Sequence, residues 1–254
     1  MKFQVDELMT HCHIIGGDQG PERQSVLFIH GAGQDHSVWR PIAQQIADRG
    51  YQAIAMDLPA HGASEGDPLA SIEAMADWVV RLLDALSLER ASLCGHSMGS
   101  LVALDCAARH SQRVAALAMV GTTAPMPVAD TILDAAKADD PAAFEMLTQW
   151  GHSLTASQDL RDATLQLFKQ SRPGVLFADM RACNDYAAGL ERAAAVNCPT
   201  LLVLGEVDLL TPVGSTQNLQ SSLPSAKISV LTGAGHMMMS EAPAALVDAL
   251  DEIL

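Results

Sequence analysis

Strand-like apolar runs alternate with helix-like ones through much of this chain, and one junction between them constrains the fold more than any other. Ala91-Ser92-Leu93-Cys94 reads as a short buried strand, Gly95-His96-Ser97-Met98-Gly99 follows at once, and Ser100 to Ala108 reads as a helix. A serine at such a strand-to-helix corner is forced into a tight turn that projects its hydroxyl from the end of a sheet. The glycines two before and two after it let neighbouring backbone pass close by. The helix N-terminus behind the serine also favours developing negative charge. Chance often produces G-x-S-x-G alone, so the pattern takes its weight from the strand before it and the helix after it.

The same alternation extends in both directions. Thr10 to Ile15 and Ser25 to Ile29 read as strands paired with each other around the turn signal Gly16-Gly17-Asp18. Tyr51 to Met56, Ala115 to Val120, Thr200 to Leu204 and Ala226 to Leu231 read as further strands. Ile72, Met75, Ala76, Val79, Leu82, Leu83 and Leu86 recur at helical spacing, with Ser71 placed to cap and Glu73 in the first turn. Ala244 to Leu254 has a similar pattern. Strands alternating with helices predict an α/β fold, a doubly wound and mostly parallel sheet covered on both faces.

The alternation breaks between about Pro125 and Ala193. Four helical stretches are expected there, around Ala129 to Lys137, Pro141 to Trp150, Gln158 to Gln170 and Val175 to Leu190. Half of the ten aromatic residues fall in this segment (Phe144, Trp150, Phe168, Phe177 and Tyr186), enough for a small core of its own and for a face over a pocket. The expected organisation is a core of residues 1–124 and 194–254 with a helical insertion at 125–193 above the sheet. A chain of 254 residues suits one large domain of this kind.

A formal charge of −15 argues against nucleic acid or an anionic membrane as a partner. No stretch approaches the roughly 18 apolar residues of a membrane span, and the first residues carry acids where a signal peptide is apolar. Five cysteines form no C-x-x-C pair, and Cys94, Cys106 and Cys198 sit in apolar runs as buried thiols. A reduced, cytoplasmic setting is expected.

A serine hydroxyl needs a base to take its proton, and the base needs a third group to orient it. His236, in Gly233-Ala234-Gly235-His236, follows the last strand, and Asp208, in Gly205-Glu206-Val207-Asp208, follows the strand before. Both fall at the carboxyl edge of the sheet with Ser97, where open α/β sheets bind ligands, and in the order Ser, Asp, His. Glu206 is the rival acid, less well placed for the loop tip. Gly121-Thr122-Thr123-Ala124, after the preceding strand, holds no carboxylate. His30-Gly31-Ala32-Gly33 follows the strand ending at Ile29, so the N–H groups of Ala32 and Met98 are the candidates for stabilising an oxyanion.

Taken in order, H-G-A-G, D-L-P-A-H-G-A-S (Asp57 to Ser64), G-H-S-M-G, G-E-V-D-x-x-x-P and G-A-G-H resemble the motifs of α/β-hydrolase-fold enzymes, the broad group with carboxylesterases, enol-lactonases and carbon–carbon bond hydrolases. The resemblance runs from about Ser25 to the C-terminus. It implies that the insertion is a substrate-shaping cap and that no cofactor or metal is needed. It also implies a structural role for Asp57, His61 and Ser64. His11 and His13 alternate on a strand with Cys12 between them, and no nearby cysteine or carboxylate pair completes a ligand set, so no metal site is expected there. Candidate pocket residues are Gly31, Gly33, Met126, Trp150, His152 and Met237; His96 is expected to pack or give polar support.

The expected activity is a serine hydrolase that cleaves a small, apolar or uncharged carboxylic ester or lactone through an acyl-enzyme. A carbon–carbon hydrolase of ring-cleavage products and a cofactor-free perhydrolase are the enzymatic alternatives. Relatives of the former often carry tryptophan after the histidine, where this chain has Met237. Epoxide hydrolases and haloalkane dehalogenases of the fold use aspartate in place of Ser97. The non-enzymatic alternative is a small-molecule receptor with little turnover, because fold alone does not decide function. The partner expected is a small molecule, and nothing in the sequence sets the oligomeric state.

Overall fold

The structure is a computed structural model that describes residues 1–16, 24–223 and 225–254. Its strands are β1 (Lys2–Val5), β2 (Leu8–Ile15), β3 (Ser25–Ile29), β4 (Gln52–Met56), β5 (Ala91–His96), β6 (Val114–Val120), β7 (Thr200–Gly205) and β8 (Lys227–Leu231). They form one sheet in the order β1-β2-β4-β3-β5-β6-β7-β8. The pairs from β4 across to β8 are parallel, and β1 and β2 are antiparallel additions at one side. The helices are α1 (Arg40–Asp48), α2 (Ile72–Ala85) and α3 (Met98–Arg109), then α4 (Asp130–Lys137), α5 (Ala142–Gly151), α6 (Gln158–Lys169), α7 (Val175–Asp185) and α8 (Gly189–Ala194) between β6 and β7. α9 (Gln217–Ser222), α10 (Met238–Glu241) and α11 (Pro243–Leu250) complete the set.

Alternation along the strands sorts the core into two layers. Leu27, Ile29, Ile54, Met56, Leu93, Leu117, Met119 and Leu202 share one cluster with the apolar residues of α2 and α3. Val26, Phe28, Ala53, Ala55, Ala118 and Val203 share the other with those of α1 and α11. Successive side chains of a strand point to opposite faces, so a strand covered on both sides must be apolar throughout. β3, β5 and β7 are buried at every position. In α2 the expected apolar face is buried, and the Ser71 hydroxyl accepts the Ala74 N–H at 3.2 Å. Such a cap contributes about 1 kcal/mol.

The expected pairing of the second and third strands is corrected. β2 pairs with β4, Cys12 opposite Met56, and β3 lies between β4 and β5. The half-buried pattern of β2 suits a place toward the sheet's side, while the wholly buried β3 belongs in its middle. Gly17 and Asp18 of the expected turn lie outside the described residues. The helical stretch expected over Val175 to Leu190 is two helices, because Tyr186 leaves helical geometry and donates its hydroxyl to Asp105 Oδ1 of α3 at 3.0 Å. Cys94 and Cys106 are buried as expected, but Cys198 is only half-buried.

Polar contacts join the helices between β6 and β7 to the loops of the sheet. Asp179 of α7, fully buried, accepts the Gly33 N–H and bonds His61 Nε2, both at 2.8 Å through Oδ2. His61 Nδ1 lies 2.9 Å from the Pro59 carbonyl, so both ring nitrogens face acceptors and the ring is an imidazolium. Burial alone would lower the His61 pKa, but the Asp179 carboxylate outweighs it and holds it above the ordinary histidine value. Arg192 reaches Asp105 at 3.2 Å, and Arg172 bonds the Ser64 carbonyl.

A histidine pKa raised by folding adds stability that is complete below the unfolded value, about 6.5, and is lost as pH rises through the folded value. The stability difference between the native protein and His61→Gln should therefore be largest at pH 6 and below, about 3 kcal/mol, and shrink toward pH 9. Urea titrations of both proteins across that range check this; a difference that grows with pH would refute the charged His61–Asp179 pair.

Candidate active site

The corner at Ser97 is sharp and crowded. Ser97 takes φ +53°, ψ −117°, a region that costs a non-glycine residue about 1–3 kcal/mol. Its N–H bonds the Val120 carbonyl at the tip of β6 at 2.9 Å, and its own carbonyl accepts the Ser100 hydroxyl. A Cβ on Gly95 would stand 2.0 Å from the Gly99 carbonyl oxygen, and one on Gly99 would stand 2.4 Å from the Ile29 oxygen. No side chain fits at either position, which accounts for both glycines of the motif.

Asp208 and His236 meet at the same sheet edge. His236 Nδ1 is 2.7 Å from Asp208 Oδ2, with the pair 4% and 3% exposed. Asp208 Oδ1 accepts the N–H groups of Leu210 and Thr211, each at 2.8 Å, and Oδ2 also accepts the Thr211 hydroxyl at 2.7 Å. Burial opposes ionisation of Asp208, but His236 and these donors hold its pKa well below the usual carboxylate range. An anionic acceptor on Nδ1 fixes the neutral tautomer of His236 with its proton there, leaving Nε2 free as a base. Glu206, the rival acid, instead accepts the Gly233 N–H at 2.8 Å.

His30 and Gly31 place the loop that follows β3. His30 Nδ1 bonds the Gly31 carbonyl at 2.8 Å and its Nε2 accepts the Leu58 N–H at 3.1 Å, so the ring is neutral. Burial and the neighbouring His61 bring its pKa down to about 4. The N–H groups of Ala32 and Met98 donate to no protein acceptor among the described residues, although both residues are buried. Met98 opens α3, where the first turn offers no intrahelical acceptor. Two buried donors without partners are rare, and beside a serine hydroxyl they are placed to suit an oxyanion.

A cavity of about 240 Å³ contains Ser97 and His236. Gly31, Ala32, Met126, Trp150 and Met237 line it, as do Val128, Ile132, Leu147, Phe168, Met180, Leu209 and Leu210. Two expected lining residues do not. Gly33 spends its N–H on Asp179, and a side chain there would meet Leu176. His152 turns away at the end of α5, its ring held by the Thr148 carbonyl at 3.0 Å and by the Thr164 hydroxyl at 3.3 Å. Gln34 and His96, not singled out for the pocket, also line it. Met237 faces the cavity, whereas Met238 and Met239 are wholly buried in the core. No lysine or arginine lines the cavity among the described residues.

Away from the cavity, Asp57 gathers the loop after β4. Its Oδ1 accepts the His36 N–H at 2.7 Å and contacts His36 Nδ1 at 2.8 Å; its Oδ2 takes the Ala63 N–H at 3.0 Å and contacts His11 Nδ1 at 3.1 Å. Burial raises the Asp57 pKa, but the two bonds from His36 lead a larger opposite effect and bring it to about 2. No carboxylate lies beside His11 along the chain, and the fold supplies one in Asp57. One atom each from His11, His36 and Asp57 lie within 4.8 Å of one another, close enough to surround a metal ion. Each Asp57 oxygen is already engaged by two nitrogens, so the carboxylate is satisfied as a loop brace. Ser64 adds to it, donating to the Asp57 carbonyl at 2.8 Å.

The chain has clear relatives. A pimeloyl-[acyl-carrier protein] methyl ester esterase of Chromobacterium violaceum is 32% identical over 232 residues, 86% of this chain and 88% of that protein. The 3-oxoadipate enol-lactonase 1 of Acinetobacter baylyi is 24% identical, covering 88% and 86%. A thermophilic esterase from Thermogutta terrifontis superposes with a TM-score of 0.87 at 22% identity, over 99% of this chain and 96% of that one. The profile of the alpha/beta hydrolase fold matches residues 24–180, and the protein belongs to the α/β-hydrolase family.

Proposed function

We propose that the protein is a serine hydrolase that cleaves a small, apolar or uncharged carboxylic ester or lactone, with Ser97 as nucleophile, His236 as base and Asp208 as its orienting acid. The observation that carries this is the contact of His236 Nδ1 with the ionised Asp208 beside a strained serine in one apolar cavity. The esterases and the enol-lactonase among its relatives support an ester-cleaving enzyme. Residues 125–193 act as the cap that shapes the pocket over a core of residues 1–124 and 194–254.

His236 Nε2 takes the Ser97 proton as Oγ adds to the carbonyl carbon. The N–H groups of Ala32 and Met98 hold the resulting oxyanion, and the imidazolium is stabilised by Asp208. Collapse breaks the bond to the alcohol oxygen, which leaves with the proton from His236. Water then loses a proton to His236, adds to the acyl carbon and releases the acid, returning the proton to Ser97.

Ser97→Ala should lower kcat on p-nitrophenyl acetate about 10⁵- to 10⁶-fold with an unchanged melting temperature. Asp208→Asn should lower kcat about 10³- to 10⁴-fold with little effect on KM, because it misorients the base without emptying the pocket. Steady-state kinetics decide both. A mild effect of Asp208→Asn beside a severe one of Glu206→Gln would reverse the choice of acid.

A carboxylate buried in a cavity without a cation pays its desolvation uncompensated. Half-esters with a free distal carboxylate should therefore show kcat/KM at least about tenfold below their neutral dimethyl esters. Equal rates would favour acidic substrates such as ring-cleavage products. Trp150→Ala should raise kcat/KM for hexanoyl relative to acetyl esters about tenfold, since selectivity lies in differential pocket contacts. A lower melting temperature with an unchanged acyl-length profile would confine Trp150 to the packing of the cap.

A further inference from the structure

We propose that His96 is a positioning residue that holds the backbone carbonyl of His236, and with it the loop carrying the base, against the loop that carries Ala32. This rests on the reading of Ser97 and His236 as nucleophile and base. His96 is wholly buried and immediately precedes Ser97. Its Nε2 lies 3.1 Å from the His236 carbonyl oxygen, its Nδ1 lies 3.2 Å from Gln34 Oε1, and its ring packs 4.7 Å from the His236 ring. Gln34 extends the link both ways, accepting the Gly31 N–H at 3.0 Å and donating to Met237 Sδ at 3.5 Å. A Cβ on Gly31 would come within 2.9 Å of His96 Nδ1, so the ring lies directly against the loop before Ala32.

The chemistry decides which of the two polar contacts matters. Burial, with the nearby His236 adding to it, keeps His96 neutral with one ring proton. Gln34 Oε1 already accepts from Gly31. The His236 carbonyl accepts from no other donor among the described residues, and a buried carbonyl without a donor is costly. The proton therefore belongs on Nε2, and the 3.2 Å approach of Nδ1 to Gln34 Oε1 is then a contact without a hydrogen bond. A ring held this way fixes the depth of the His236 loop relative to Ser97, to which it is bonded in sequence.

Replacement by two amides separates the contacts, because the nitrogen of glutamine reaches about where Nε2 stands and that of asparagine about where Nδ1 stands. His96→Asn should lower kcat on p-nitrophenyl acetate about 10- to 100-fold with KM changed less than about threefold, as expected when a base is misplaced by a fraction of an ångström. His96→Gln should recover most of that loss. Equal losses in both, or better activity in the asparagine variant, would overturn the proposal. Nitrogen-15 NMR of the native protein tests it without a variant: a neutral His96 protonated on Nε2 supports it, and protonation on Nδ1 overturns it. Ser97→Ala is run alongside. Survival of its activity would overturn the reading of the site, whereas an inactive Ser97→Ala with equal His96 variants would overturn the positioning role alone.

Discussion

Backbone passes so close to itself around Ser97 that a single methyl group at Gly95 or Gly99 would collide with a carbonyl oxygen, and the arrangement of the site follows from that crossing. The crossing brings the ends of β3, β5 and β6 together, because Gly99 abuts Ile29 and the Ser97 N–H bonds Val120. It forces α3 to begin in the middle of the sheet's edge, where its residues from Met98 to Ala107 are all buried. It also leaves the first N–H of that helix unpaired beside the serine. Strain at one residue is thus tolerated because three strands and a central helix over-determine its position.

Around this corner the molecule sorts charge among histidines that stand almost in contact. His30 and His61 pack at 4.6 Å, one neutral and one cationic; His96 and His236 pack at 4.7 Å, the first neutral. What separates them is the partner of each ring nitrogen. His61 faces two acceptors, one of them a carboxylate, whereas His30 receives a backbone N–H. The buried acids Asp57, Asp179 and Asp208 each take two or more donors from the protein, so a chain of formal charge −15 presents a cavity lined chiefly by apolar groups.

The sheet was legible because buried parallel strands must be apolar throughout and helices must show a single face, and runs such as Val26 to Ile29 and Ile72 to Leu83 obey this. Neighbour choice was not legible: nothing in the pattern of Leu8 to Ile15 states that β4, not β3, lies beside it. Ser97, Asp208 and His236 could be marked because each follows a strand directly, and the carboxyl ends of parallel strands share an edge. The pocket was harder. His152 stands two residues from Trp150, yet the end of α5 turns it toward Thr164. Phe168, Met180 and Ile132 carried only the signal of helical apolar positions, which does not distinguish a cavity wall from a helix–helix seam. Leu209 and Leu210 adjoin Asp208, and that adjacency was the available clue.

Asp179 belongs to α7, yet one of its oxygens accepts the N–H of Gly33, the residue after Ala32. On the proposed reading, the helical wall over the cavity and the strand-end loop that would steady the developing charge are therefore parts of one braced frame. Specificity in such a frame is not a detachable cassette. A transplanted helical segment lacking an acid at this position would leave the Gly33 N–H and the cationic His61 unanswered, and would disturb turnover for every substrate, including those that its new pocket fits well.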